Sequence, residues 1–416
     1  MNMYLRLATL SFLAVFSLSS AKANPPKISV PAGFQASVFA EGVGRARHIV
    51  VRPNGDVLVA LQRRAKGAGV VRLKDTNGDG RADDIERFGK VTGTGMALYK
   101  SYLYFGEPER IVRFKLSDTS LPIGDMEVVV DGFPDQGSHR SKTIAISPDG
   151  QLFVNVGAPS NACQIYSREP EVKGQDPCPQ LERQAGVWVF DADTLGQTQV
   201  DDGKRYVTGL RNAVAIEWHG GSLYLAQHGR DQLSDLWPGY FGQADNTEKP
   251  AEEFHRVSEG DDLGWPYTYF DPIAKERKLA PEYGGDGNKA PEAGRYKDPD
   301  AYFPAHWGPN DVVFGTSETF PTRYKDGAFV AFHGSWNRYP DPQGGYKVTF
   351  LPMKDGAPTG DYEVFANGFT GKDGPIFQPG DADARPTGLA FGPDGALYIS
   401  DSVEGTIWRI TYGSES

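Results

Sequence analysis

The chain is 416 residues long and carries a formal net charge of −11, which argues against a nucleic-acid partner, since that would need a broad basic face. Fifty glycines and 30 prolines, with little long-range helical periodicity, fit short strands joined by turns and exclude a bundle of long helices.

Residues 1–23 open with Arg6, continue in an apolar run and end in Ala21-Lys22-Ala23. That is the pattern of an export signal with a small-residue cleavage site, and its apolar core is shorter than the ~20 residues a membrane span needs. Residues 24–416 are therefore expected to be one exported domain, periplasmic or secreted, and no later stretch is apolar enough to cross a bilayer.

A repeat follows, built from a polar lead-in, an apolar strand, a tight Asx-Gly or Gly-Gly turn and a second apolar strand. It starts at Arg47 (RHIVVRPNGDVLVALQ), Thr94, Lys142 (KTIAISPDGQLFVNVG), Arg211 (RNAVAIEWHGGSLYLAQHG), Asn310 and Thr387 (TGLAFGPDGALYISD). Six such units predict an all-β fold, a six-bladed β-propeller. A long loop insertion between blades is expected over 238–309. The terminal strands should close the ring, with FQASVFAEG lying beside GTIWRI.

Between the first two units, DTNGDGRADDIE at 75–86 satisfies the pattern of a calcium-binding loop. Asp75, Asn77, Asp79, Asp83 and Glu86 would supply oxygens, Arg81 a main-chain carbonyl, and Gly80 the sharp turn. Cys163 and Cys178 are the two cysteines, and an exported chain makes them a disulfide pair. In the 238–309 region, Trp237, Trp265 and Trp307 offer faces for a sugar ring.

Loops that lead into the innermost strands of a propeller converge on its axis. Arg47-His48, His139, Arg211-Asn212 and Arg385 all hold that place, so they should ring one pore. Guanidinium groups bind carboxylates in pairs and keep their charge, so an anionic small ligand is expected. His139 has the ordinary pKa of a general base. Gly229 could let backbone approach a ligand or a hard cation. Two rival readings remain open on these residues: a calcium-dependent propeller lactonase or hydrolase, and a non-catalytic ligand-binding propeller. The first wants acidic side chains lining the channel, whereas the lead-ins are basic.

The stretches SHRSKTIAISPDGQLFVNVG, GLRNAVAIEWHGGSLYLAQHGRDQLSDLWP, DLGWPYTYF, FVAFHGSWNR and RPTGLAFGPDGALYISDS resemble the motifs of the soluble sugar dehydrogenases that depend on pyrroloquinoline quinone (PQQ), the glucose/sorbosone dehydrogenase family. The resemblance runs from about Pro31 to Ile410. It implies PQQ held over the channel with calcium as a second cofactor, His139 as catalytic base and Arg211 stabilising developing negative charge. It implies Arg211, Asn212, His228 and Arg385 as cofactor contacts, and calcium on the carbonyls of Gly229 and Arg230. The implied reaction oxidises an aldose or sugar aldehyde and passes electrons to an external acceptor of cytochrome or quinone type. Arg230 stands where the family carries proline, and Ser138 where glucose-active members often carry an acid. Arg338 is the candidate for the family's cofactor lysine.

Overall fold

The computed structural model describes residues 24–117 and 121–413; the expected signal over 1–23 lies outside them. The strands assort into six blades, as the repeat predicts. Blade 1 comprises Ala46–Val51, Val57–Ala65, Ala68–Lys74 and Asp84–Phe88, and blade 2 runs from Met96–Tyr99 to Ile123–Asp131. Blade 3 runs from Ile144–Ile146 to Lys204–Thr208, blade 4 from Ala215–His219 to Ala301–Phe303, and blade 5 from Pro309–Phe314 to Glu363–Ala366. Blade 6 comprises Pro386–Phe391, Leu397–Asp401, Ile407–Tyr412 and, as its outermost strand, Phe34–Ala40. That last pairing is antiparallel, with Phe34 opposite Tyr412 and Ala36 opposite Ile410, so the chain ends close the ring.

The second strands explain why the sequence reads as apolar runs. Along Val57–Ala65, Val57, Val59 and Leu61 pack into the seam with blade 6, while Leu58 and Ala60 pack into the seam with blade 2. Both faces are buried, so both must be apolar. The seam between blades 5 and 6 is aromatic, with Phe34, Phe320, Phe329, Phe350, Phe365 and Trp408 in one cluster. Turn glycines such as Gly55 (φ 84°) and Gly150 (φ 91°) adopt the left-handed backbone their hairpins require.

Residues 238–309 hold more order than their composition announces. They supply the third strand of blade 4 (Glu252–Val257) and its fourth (Ala301–Phe303), with a hairpin of Thr268–Asp271 and Glu276–Leu279 between them. Cys163 and Cys178 form the expected disulfide, their Cα atoms 6.1 Å apart. Among the described residues no helix is long and apolar enough to cross a membrane.

Candidate active site

The innermost strands carry their lead-ins to one end of the axis. His139 lies in the lead-in to blade 3 at φ 50°, a backbone conformation that non-glycine residues adopt rarely and often at functional sites. Its Nδ1–H donates to the Ala158 carbonyl at 2.6 Å. A carbonyl can only accept, so Nε2 is the bare nitrogen of the neutral ring. Burial and the nearby Arg211 charge lower its pKa to about 3, although the Ala158 carbonyl pulls the other way. Gln136 holds the loop from below, its Nε2 reaching the carbonyls of Ser138, His139 and Gly157 at 2.8, 3.1 and 2.9 Å. A Cβ on Gly157 would stand 2.7 Å from His139 Cβ and 2.6 Å from Asn212 Oδ1, so only glycine fits beside both.

Arg211 is buried at the head of blade 4. Its Nη1 donates to Gly229 O at 2.8 Å and its Nη2 to Asp231 Oδ2 at 2.7 Å. Arg168 Nη2 meets the same carboxylate oxygen at 2.6 Å. Burial pushes the Asp231 pKa up, but Arg211, His306 and Arg168 hold it below the usual carboxylate range. Asn212 accepts from Asn155 Nδ2 at 3.2 Å, and its carbonyl receives His228 N–H at 2.9 Å.

The far side of the ring comes from blades 5, 6 and 1. His228 Nε2 donates to Pro309 O at 2.7 Å, and burial lowers its pKa to about 4. Arg385 donates through Nε to His333 O and through Nη2 to Gly334 O, each at 2.9 Å. His333 Nε2 meets Ser402 Oγ at 2.7 Å, and burial, with the charges of Arg385 and Arg47, keeps it neutral. Charge interactions link the set: His139 with Arg211 and His228, His228 with Arg47, His333 with Arg385. His139, Arg211, Asn212, His228 and Arg385 therefore share one site, reached from five blades when Arg47 and His333 are included.

The Arg230 side chain, whose carbonyl is the expected calcium ligand, is buried against Glu282, which also accepts Trp237 Nε1 at 3.0 Å. Two expectations need correction. Arg338 is turned out of the ring: Nη1 donates to Thr247 O at 2.8 Å, Nε to Pro342 O at 3.0 Å, and Nη2 pairs with Glu248 at 2.7 Å. The second is the loop 75–86, whose ligand set is not assembled. Asp75 accepts Gly78 and Gly80 N–H at 2.7 and 2.8 Å, while Asn77 and Asp79 each accept a backbone N–H, from Asp79 and Arg81, at 2.9 Å. Asp83 holds Thr76. Strand pairing sets Glu86 opposite Arg72, whose Nε is 3.2 Å away, and so withdraws it from the loop. Among the described residues, no group of three His, Cys, Asp or Glu side chains is arranged to hold a metal ion. The tryptophans offer no open platform either: Trp237 and Trp265 are buried, and Trp307 packs on Phe332 and Tyr362.

The ring fits a tricarboxylate quinone better than it fits a bare cation. Arg47 is buried to 8% exposure, and among the described residues neither its Nε nor that of Arg211 has a hydrogen-bond partner. Burial and Arg385 depress the Arg47 pKa to about 10, a cost that an anion would relieve. Calcium at the Gly229–Arg230 turn fits poorly, because the Arg211 guanidinium, 2.8 Å from the Gly229 carbonyl, would stand beside the cation.

Sequence reasoning missed Asp231, Arg168, Glu252, Gln136 and His333. Glu252 is buried with Oε2 on Gly229 N–H and Oε1 on Gly308 N–H, at 2.9 and 3.0 Å, and burial raises it to about 7. Asp231 had a signal, since it follows directly on HGR. Arg168, Gln136 and Glu252 had none, because they come from loops and a third strand that no repeat boundary marks.

A fungal relative from Coprinopsis cinerea, a PQQ-dependent pyranose dehydrogenase, is 28% identical over 316 residues, 65% of this chain and 39% of its own length. The chain spans under half the length of the curated relatives it matches, 48% and 39%. Among solved structures, the holo form of the PQQ domain of the C. cinerea pyranose dehydrogenase superposes with a TM-score of 0.73 at 21% identity, covering 94% of this chain and 99% of that one. A calcium structure of a Trichoderma reesei carbohydrate-active enzyme of family AA12 gives 0.74 at 19% identity, covering 95% and 100%. These likenesses establish a shared fold. The TrAA12-like family model matches residues 28–413, and the chain belongs to that family.

Proposed function

We propose that the protein is a PQQ-dependent dehydrogenase of a pyranose or related aldose, exported to the periplasm or the medium and served by an external electron acceptor. The observation that carries this reading is the buried Arg47 guanidinium, whose Nε has no hydrogen-bond partner among the described residues, set with Arg211 and Arg385 around His139. The name of the C. cinerea relative supports the cofactor and the substrate class.

Bound PQQ would supply an electrophilic carbonyl that takes hydride from the sugar carbon. The chain's residues do the rest. His139 Nε2, bare because Nδ1–H is committed to Ala158, takes the hydroxyl proton. Arg211 balances negative charge that builds on the acceptor oxygen. Arg47 and Arg385 would hold the PQQ carboxylates, and Asn212 and His228 would be further cofactor contacts. Because the anion brings negative charge beside His139, binding raises the depressed histidine pKa toward the working range. Calcium belongs to the proposal as a second cofactor, and the Gly229 carbonyl expected to hold it accepts from Arg211 Nη1.

The test is reconstitution. Purified apoprotein is mixed with PQQ, with and without calcium, and assayed for dye reduction on a panel of sugars. Sugar-dependent reduction that requires PQQ is expected, and the absence of PQQ binding would overturn the reading.

A further inference from the structure

Beneath the ring the axis is hollow. A cavity of about 300 Å³ runs between the first strands of all six blades, lined from His48, Asp311 and Leu389 at the ring end to Val51, His219 and Phe391 at the other. The strand Ala215–His219 spans this length, from just past Asn212 to the hairpin where His219 pairs with Ser222 on the opposite face. Most of the lining side chains are aliphatic, yet two carboxyls stand among them.

Glu217 is one. Its carboxyl has no hydrogen-bond partner among the described residues, and burial alone raises its pKa to about 8. Asp311 is the other, accepting Val312 and Leu389 N–H at 2.9 and 2.8 Å; burial pushes it up, and the charge of Glu217 adds to the push. His48 lies 3.8 Å from Asp311 with its Nε2–H on Asn310 O, and Arg47 acts on both from the ring. The fourth titratable group on the wall, His219, marks the far mouth, stacked on Phe314 and 3.3 Å from Asp326. Glu217 is half-buried and its carboxyl opens on the cavity without a protein partner among the described residues, so packing does not account for it.

The reaction gives such a group a use. Oxidising a sugar hydroxyl to a carbonyl removes two electrons and two protons. When the electrons leave singly to an acceptor that takes no protons, such as ferricenium or a haem, both protons must reach solvent. At the sugar mouth they meet Arg47, Arg211 and Arg385. We propose that the axial cavity is the proton exit of the catalytic cycle, with Glu217 carrying protons from the Asp311–His48 end to the face opposite the sugar mouth. The inference rests on the dehydrogenase reading above.

Glu217→Gln keeps the shape and removes the proton carrier. With ferricenium as acceptor, turnover of the reconstituted variant is expected to fall at least about tenfold, the low edge of what proton-transfer groups contribute. With a benzoquinone, which carries protons off with its electrons, turnover stays at the parent's value. Infrared spectra of the apoprotein give a reading without activity: a protonated-carboxyl band that titrates near pH 8 and is missing in Glu217→Gln. An unchanged ratio of the two acceptor rates in an active variant overturns the proton exit alone, as does an apoprotein lacking that band. Failure of the unmutated protein with both acceptors overturns the dehydrogenase reading and takes the exit with it.

Discussion

Arg211 and Asp231 meet through Nη2 and Oδ2 at 2.7 Å on the floor of the cationic ring, and Arg168 shares the same oxygen. Asp231 is the counter-charge that lets the ring exist without a ligand. Asp231→Asn strands two guanidinium groups, so the apoprotein should lose about 3 kcal/mol, the scale of a broken buried pair. An anionic ligand restores part of the loss. The rise in melting temperature on adding PQQ should therefore be larger for Asp231→Asn than for the parent, as differential scanning fluorimetry can check. An equal or smaller rise would show that Asp231 does not stand in for the ligand.

His139→Ala tests the base. PQQ binding should be nearly unchanged, while turnover falls at least about a hundredfold, the usual cost of a lost general base. Parent-like turnover would remove His139 from that role.

Gly157→Ala tests positioning without touching a charged group. The added Cβ would stand 2.7 Å from His139 Cβ and 2.6 Å from Asn212 Oδ1, so both must shift. Displacements of this kind can cost on the order of a hundredfold in rate. Circular dichroism should stay native while steady-state turnover drops; full activity would mean that the site tolerates a moved His139.

Stability should depend on pH through Glu217 with a definite sign. Its folded pKa, about 8, lies above its ordinary 4.5, so the folded state holds the proton more tightly. The stabilising contribution is present below about 4.5 and is lost as pH rises through 8. Melting temperatures of Glu217→Gln and the parent should therefore diverge in the variant's favour as pH climbs across that window. The buried histidines act oppositely: His139, at about 3, and His228, at about 4, lie below their ordinary 6.5, so their stabilisation is lost as pH falls from there. Parallel curves for the two proteins would contradict the Glu217 assignment.

The propeller was legible because each second strand is buried on both faces and each hairpin needs a left-handed turn, which leaves apolar runs and Asx-Gly pairs in the sequence. The convergence of His139, Arg211 and Arg385 followed from the same repeat, since the lead-ins to the inner strands must share the axis. Partners that arrive from irregular loops, such as Arg168 and Gln136, leave no periodic trace. Arg338, chosen by resemblance and lying between the second and third strands of blade 5, illustrates the limit: Glu248, in a segment whose place no repeat fixes, draws its guanidinium away. Glu86 matched a motif letter by letter, yet the cross-strand pairing with Arg72 decides where its carboxylate points.

The most direct test is calorimetric titration of PQQ into the apoprotein beside Arg47→Ala and Arg385→Ala. The ring should take up one PQQ per chain, with binding weakened by salt and by each substitution at least about tenfold, as loss of a buried charge-assisted pair demands. Binding that neither substitution changes, or no binding at all, would contradict the claim that these guanidinium groups form the seat of an acidic quinone.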